Sequence, residues 1–416
     1  MKKVSEWNMH GLEKTFQPNP LQALYVTSFP ITRYRRPILA ALALKTLGIN
    51  IKILDGWGVV YHYRPFSTLS RISKYLPKSL EWITKDVCYE KALSLAISKL
   101  NPILLINLNL LGAITVRKLF SRIPLILDIQ DFNIQLDGTI PLYDLQILRY
   151  SHPELVIFAS KTILNLVEKR YPKLLKRTAH IPFGIDLSTF DKFYSSANPN
   201  AFRLQFQISD EYVLTFTGAA YFSGSAEGQG VELMLKAIKT VRKEISNIKI
   251  VIQAANPASE VFHWIVKLLK NLGLEDCTIL LPLTHPYHQL RMNMLKASDV
   301  LLLPVGNVPT TYYAENIKLY EYMACAKPIA MVATPARLSV LNDRSAFIAH
   351  KRSPEEFASR IIESLVNRDE AVKKAAEARK LVEKKYDWRI LVPLYAKAVG
   401  KVIGISPDPN FDEGND

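Results

Sequence analysis

Short uninterrupted apolar runs alternate along this chain with longer stretches whose apolar residues recur every three or four positions, the signatures of buried strands and of helices with one buried face. The runs Leu24–Ser28, Ile51–Gly56, Ile103–Leu108, Pro124–Ile129 and Glu154–Ser160, with a last one closing near Phe183, predict six strands. Helical spacing is predicted from Ile38 to Gly48, Gly112 to Leu119, Asp144 to Tyr150 and Lys161 to Arg170. Strands that are apolar on both faces predict a parallel sheet covered by helices on each side. Residues 184–210, rich in Ser, Asn, Asp and Pro, read as a connection.

A second alternation follows it. Strands are predicted at Tyr212–Gly218, Ile248–Ala254, Cys277–Leu283, Val300–Val305, Pro328–Val332 and Ala346–Ala349. Helices are predicted at Val231–Glu244, Glu260–Leu272, Pro286–Lys296, from Asn316, at Pro354–Val366 and at Glu370–Lys385. The expectation is an α/β chain of two Rossmann-like parallel-sheet domains facing across a deep cleft, residues 1–190 and 191–386. A final helix, 387–403, returns to the first domain, and an acidic tail, 404–416, is expected to be disordered.

Charge adds an asymmetry. Of the net +15, residues 1–190 carry +12 and the rest +3, which favours an anionic partner for the first half, with solubility alone as the other reading. Residues 57–100 are helical in period but broken at Pro77; within them Leu69–Lys85 sets Leu69, Ile72, Leu76, Leu80 and Ile83 against Arg71, Lys74, Lys78 and Lys85. That stretch either packs on its own sheet or lies on an anionic bilayer. Three scattered cysteines suit a reducing compartment and exclude a disulfide framework or structural zinc. No run of 18 uncharged apolar residues and no signal-like start is found, so a cytoplasmic protein is expected, peripheral at most at the inner membrane surface.

Residues 300–335 hold the densest candidate chemistry: a strand, a polar loop, a helix start and a second strand. Ligands collect at the carboxyl ends of parallel strands, and a helix start offers amides to an anion. Lys318 and Glu321, three apart, share a helix face, either as a surface ion pair or as contacts to a phosphate and to paired hydroxyls. In the first half Arg33, Arg35 and Arg36 fall at the ligand end of the first strand, either binding an acceptor or forming an ordinary solvated face; Asn107 and Asn109 follow the third strand and Asp128, Gln130 and Asp131 the fourth, and these five are expected to converge on one crevice. The loop GAAYFSGSAEGQG, with Gly218, Gly224, Gly228 and Gly230 between strand and helix, is either a diphosphate loop or a plain flexible one; it matches neither Walker nor GxGxxG spacing.

Four ordered segments resemble the retaining, nucleotide-sugar-dependent glycosyltransferases of the GT-B fold, glycosyl transferases group 1, or family 4. These are HIPFGIDLSTF (180–190), LTFTG followed by GVELMLKAI (to Ile238), ASDVLLLPV (297–305) and NIKLYEYMACAKPIA (316–330), and the likeness runs from about Leu24 to Tyr395. The resemblance implies that Glu321 holds the donor ribose, and that Lys318 with the amides of Asn316, Ile317 and Leu319 meets the diphosphate and sugar. It implies that Gly218 lies beneath the diphosphate and that Leu283–Leu290, including His285 and Leu290, walls the base. Donor recognition thus falls to the second domain and acceptor recognition, through Arg33, Arg35, Arg36, Asn107, Asn109 and Gln130, to the first.

The implied activity moves a hexose from a UDP- or GDP-linked sugar to a hydroxyl of a glycan or lipid-linked acceptor, with retention. Lys318 is expected to stabilise the leaving diphosphate, with Asp131 as acceptor contact or base and Asp128 as its partner. No metal ligand set and no cofactor beyond the donor are expected. The chain departs from the family pattern at Ala219 and Gln229, where Arg and Lys are usual, at Tyr313, where the first glutamate of Glu-x7-Glu would fall, so that Glu315, offset by two, is expected to contact the donor sugar with the loop remodelled, and at Ala326, usually Gly. The first-domain histidine has no match. The competing readings are a catalytically impaired sugar-nucleotide binder, a sugar-phosphate epimerase or phosphorylase on the same plan, and a nucleic-acid binder acting through the basic half, the last resting on charge alone.

Overall fold

The computed structural model describes residues 21–27, 36–55, 91, 94, 102–223, 226–254 and 256–407. The amphipathic stretch 69–85, Arg33, Arg35, Cys88 and the tail from residue 408 lie outside the described residues.

Both sheets form where uninterrupted apolar runs predict them. The first has the order β2-β1-β3-β4-β5-β6, with β1 Gln22–Thr27, β2 Asn50–Asp55, β3 Leu104–Leu108, β4 Leu125–Ile129, β5 Leu155–Phe158 and β6 Thr178–His180. Strands β3, β4 and β5 are buried at every position, as a sheet covered on both faces requires. The second has the order β11-β10-β7-β12-β13-β14, with β7 Tyr212–Thr217, β10 Ile248–Gln253, β11 Thr278–Leu281, β12 Val300–Leu303, β13 Ile329–Val332 and β14 Phe347–Ala349. Its pairings are parallel throughout. The remaining strands, β8 Phe222–Ser223 and β9 Ala226–Glu227, form a small antiparallel pair inside the glycine-rich loop.

In the second sheet the sequence of crossovers reverses between β7 and β12, and ligands of open parallel sheets lie beyond the strand ends at such a point. Only Val300 with Leu214 and Leu301 with Thr215 are in register there, so pairing ends before β7 does. The carboxyl ends that part are Thr217–Gly218 and Leu303–Gly306.

Two compact units divide the chain: Met1–Leu127 with Ser151–Leu155 and Val392–Asp416, and Asp128–Tyr150 with Val156–Leu391. In the first, Arg36 opens the helix Arg36–Lys45 and places its guanidinium 5.4 Å from the ring centre of Tyr395, on the last helix, Trp388–Ile403. Two apolar clusters build the second unit on either side of its sheet, one under Leu319, Tyr320 and Met323 and one under the helix Val231–Glu244. The segment read as a connection is ordered here as two helices. Leu187–Ser195 is capped by Asp186, which accepts from the N–H of Thr189 at 3.0 Å, and Pro199–Gln205 by Asn198, which accepts from that of Ala201 at 3.1 Å. Among the described residues no helix is long and apolar enough to cross a membrane.

Candidate functional site

The donor candidates gather at the parted ends of β7 and β12, all within the second unit. The helix Ile317–Ala324 begins there, and every residue from Lys318 to Ala324 is buried, so Lys318 and Glu321 are not a surface ion pair. They do not pair with each other. Lys318 Nζ donates to Gln229 Oε1 at 2.6 Å and lies 4.3 Å from the ring centre of Phe216. It also covers Gly218, whose φ is +133° and where a Cβ would stand 2.6 Å from Nζ, so only glycine leaves the ammonium its place. Burial first, and then the cation of Arg337, push the Lys318 pKa well below the ordinary ammonium range; Glu227 pulls it up, Arg291 down and Glu321 up.

Glu321 pairs with Arg291, which reaches in from the helix Gln289–Ala297. Arg291 donates from Nη2 to Glu321 Oε2 at 2.6 Å and to Thr217 Oγ1 at 3.3 Å, and from Nη1 to Gln253 Oε1 at 2.7 Å. Pair and partners are buried, which leaves Glu321 fixed in position with its charge balanced. Next to it Tyr322 accepts the Thr217 N–H at 2.8 Å, tying the helix to the end of β7. Gln253 donates to Thr284 Oγ1 at 3.0 Å, linking this network to the loop before residue 289. On that loop His285 is exposed and accepts the Tyr287 N–H at 3.3 Å, while Leu290 packs on the apolar cluster.

The glycine-rich loop holds an anion of its own. Glu227 accepts from the N–H groups of Gln229 at 2.6 Å, Gly230 at 2.5 Å and Val231 at 3.0 Å, the amides that open the helix Val231–Glu244. Burial pushes its carboxyl up while those three amides pull it down. Gly230, at φ +84°, presses on the backbone of Val305 at the end of β12, where a Cβ would come within 2.5 Å. The start of Ile317–Ala324 has no side-chain cap, because Asn316 makes none. The Leu319 N–H closes that first turn on Asn316 O at 2.9 Å, so the amides of Ile317 and Lys318 are those a helix start offers to an anion.

Glu315 faces away from this constellation. Its side chain is 1 % exposed, accepts from the Tyr320 hydroxyl and lies 3.8 Å from His180 Nε2. Beside it Ser160 donates to the carbonyl of Tyr313 at 2.6 Å. Asp128, Gln130 and Asp131 follow one another at the end of β4; Asp128 and Gln130 are buried, and Asp131 is reached by solvent yet crowded enough that desolvation raises its carboxyl. In the other unit Asn107 is buried and donates to the carbonyls of Asn109 at 2.9 Å and Leu111 at 3.1 Å, bracing its own loop, with Asn109 at φ +59°. Arg36 is likewise buried, against Tyr395.

Arg291, Arg337, Glu227 and His180 have no place in the sequence-based site. Arg337, on the short helix Pro335–Leu338, donates to the carbonyls of Leu303 at 2.6 Å, Val332 at 2.8 Å and Pro304 at 2.6 Å. Burial lowers its pKa to about 9, which keeps it cationic at neutral pH.

The family model described as glycosyl transferases group 1 matches residues 219–381. That segment, 163 of the 416 residues, is similar to the glycosyl transferases group 1. The fold of the chain is GT-B, as three solved structures show. Sucrose-phosphate synthase from Thermosynechococcus elongatus superposes with TM-score 0.68 at 13% identity over 92% of this chain and 99% of that one. Anabaena HepE in complex with UDP gives 0.67 at 12% over 92% and 100%. The E. coli trehalose-6-phosphate structure bound with UDP-2-fluoro glucose gives 0.67 at 14% over 93% and 100%. No curated protein matches the chain by sequence. The matched segment spans the ends of β12 and β13, Lys318, Glu321, Arg291 and Arg337, so the buried charges described above lie inside it, with Gly218 one residue before its start.

Proposed function

We propose that the chain transfers a hexose from a nucleoside-diphosphate sugar, UDP- or GDP-linked, to a hydroxyl of a glycan or lipid-linked acceptor, with retention. The observation that carries this is the buried Lys318 ammonium lying on Gly218 beside the Arg291–Glu321 pair, at the strand ends where the second sheet reverses. UDP in HepE and a UDP-sugar in the E. coli structure support a donor of that class.

In this reading Glu321, held by Arg291, accepts the ribose hydroxyls. Lys318 and the first amides of Ile317–Ala324 take the diphosphate, and His285 with Leu290 flanks the base. The acceptor oxygen bonds to the anomeric carbon as the bond from that carbon to the diphosphate oxygen breaks. The nucleoside diphosphate leaves, and the hydroxyl proton passes to the leaving phosphate, with Asp131 as the acceptor contact and Asp128 and Gln130 beside it. Aimed donors and cations suffice for such a transfer, so no metal or further cofactor is assigned. The acceptor would be met in the cytoplasm or at the inner membrane surface.

A binding-only role is the second reading. It is favoured by Glu315, which is engaged with Tyr320 and His180 instead of facing Lys318. A screen of donor binding and slow hydrolysis over UDP-, GDP- and ADP-sugars, with wild type and Glu321→Ala, separates the two. Turnover lost in Glu321→Ala supports transfer, binding without turnover supports the second reading, and neither in wild type refutes both.

A further inference from the structure

The family pattern places two cations in the glycine-rich loop, where this chain has Ala219 and Gln229. The described charges near Lys318 show what stands in their place. Three cations, Lys318, Arg291 and Arg337, are set among two carboxylates, Glu227 and Glu321, and all five side chains are buried. Glu321 is matched by Arg291, and Glu227 is held by three backbone amides. Arg337 is matched by neither. Its hydrogen-bond acceptors are three neutral carbonyls at the carboxyl ends of β12 and β13, and among the described residues its Nε has no partner.

A fully buried guanidinium facing only carbonyls is costly, and an apolar side chain of similar volume would fill the same space with less desolvation. What the guanidinium adds is a fixed positive field, directed from the strand ends into the crevice and little screened there by water. After burial, the cation of Arg337 is the main cause that pushes the Lys318 pKa down, and its carbonyl partners Leu303 and Pro304 lie at the end of β12 where Lys318 sits.

We propose that Arg337 is the positioning cation of the diphosphate site, acting from behind the strand ends in place of the loop cations that Ala219 and Gln229 do not supply. Its fork is spent on buried carbonyls, so its effect is electrostatic and scales with the charge of what binds in front of it. This rests on the donor reading and deepens it: it makes Arg337 a determinant of selectivity for diphosphates over uncharged nucleosides.

The test compares wild type, Arg337→Gln and Arg337→Lys by calorimetry with inorganic pyrophosphate, UDP, GDP, uridine and guanosine. The glutamine variant keeps N–H donors for the carbonyls and removes the charge; the lysine variant keeps the charge and loses the fork. The expected result is a loss of about ten-fold or more in pyrophosphate and nucleoside-diphosphate affinity in Arg337→Gln, with a shallower salt dependence and nucleoside affinity within two-fold of wild type. Arg337→Lys should retain most of the diphosphate affinity. Equal losses for charged and uncharged ligands, no loss at all, or an Arg337→Lys as weak as Arg337→Gln would overturn the proposal. Should Arg337→Gln not fold, Arg337→Lys decides by itself: retained diphosphate selectivity supports the role and lost selectivity refutes it. A wild type that binds none of the diphosphates sinks the donor reading first, which is a different outcome from a wild type that binds them with no dependence on residue 337.

Discussion

Lys318 Nζ and Gln229 Oε1 meet at 2.6 Å, so the position where the family pattern has a loop lysine is here the hydrogen-bond partner of the helix lysine. A second ammonium at 229 would press against the first in a buried site. Gln229→Lys should therefore lower stability by about 1–3 kcal/mol in the free protein, as an unpaired buried charge does. The deficit should shrink in saturating UDP, because a diphosphate would neutralise both. Thermal unfolding with and without UDP measures this, and a deficit that UDP leaves unchanged would contradict it.

Lys318 itself is expected to cost stability at neutral pH. Its folded pKa lies well below the ordinary lysine value, chiefly through burial and Arg337, so between the two values the unfolded chain binds the additional proton. Stability then rises with pH across that window, and the penalty is greatest below the folded pKa. Lys318→Met, which keeps the packing on Phe216, should be more stable than wild type at pH 7 by about 1–2 kcal/mol. That advantage should fade as pH approaches about 10.4, the unperturbed lysine value. Urea unfolding at several pH values gives both the sign and the slope.

Gly218→Ala places a methyl group where Lys318 Nζ lies, at a backbone φ of +133°. The flexible end of the lysine can move, but the backbone strain stays, at about 1–3 kcal/mol. The expected outcome is a folded protein with a lower Tm and weaker nucleoside-diphosphate binding. A variant with unchanged affinity would show that the ammonium need not lie on this glycine.

Ala326 adopts φ +50° just after the helix Ile317–Ala324, a left-handed conformation costing an L-residue roughly 1–2 kcal/mol. Ala326→Gly should relieve that strain and give back part of it through the entropy of the unfolded chain, a net gain of about 0.5–1 kcal/mol. Differential scanning calorimetry should show a raised Tm with donor binding unchanged.

Most strands of the two large sheets were legible because an uninterrupted apolar run between turn residues has few other uses; β6, Thr178–His180, is the exception in composition and was placed only by the apolar residues that follow it. The helix start at 316 followed from the same pattern, but the burial of Lys318 and Glu321 did not, since the pattern left them equally readable as a surface ion pair. Arg291 and Arg337 were not legible: Glu321 lies 30 residues from Arg291, and Pro304 33 residues from Arg337, and these meet only once the strands are stacked. An isolated arginine in a helix otherwise reads as solvated surface. The helices between residues 187 and 205 were hidden by the same polar residues, Asp186 and Asn198, that cap them, since these also mark loops. Glu315 could be placed near the donor helix by count alone, but its turn toward Tyr320 and His180 depends on β6, which its own neighbourhood in sequence does not contain.

The carboxylate of Glu227, seated on the first amides of Val231–Glu244, also bears on how a product is held. A loop whose amides are already taken by the chain's own anion has none of those three to spare for a departing nucleoside diphosphate. A diphosphate bound in front of this helix would be gripped chiefly from the Lys318 wall, with the opposite wall already neutralised by the chain itself.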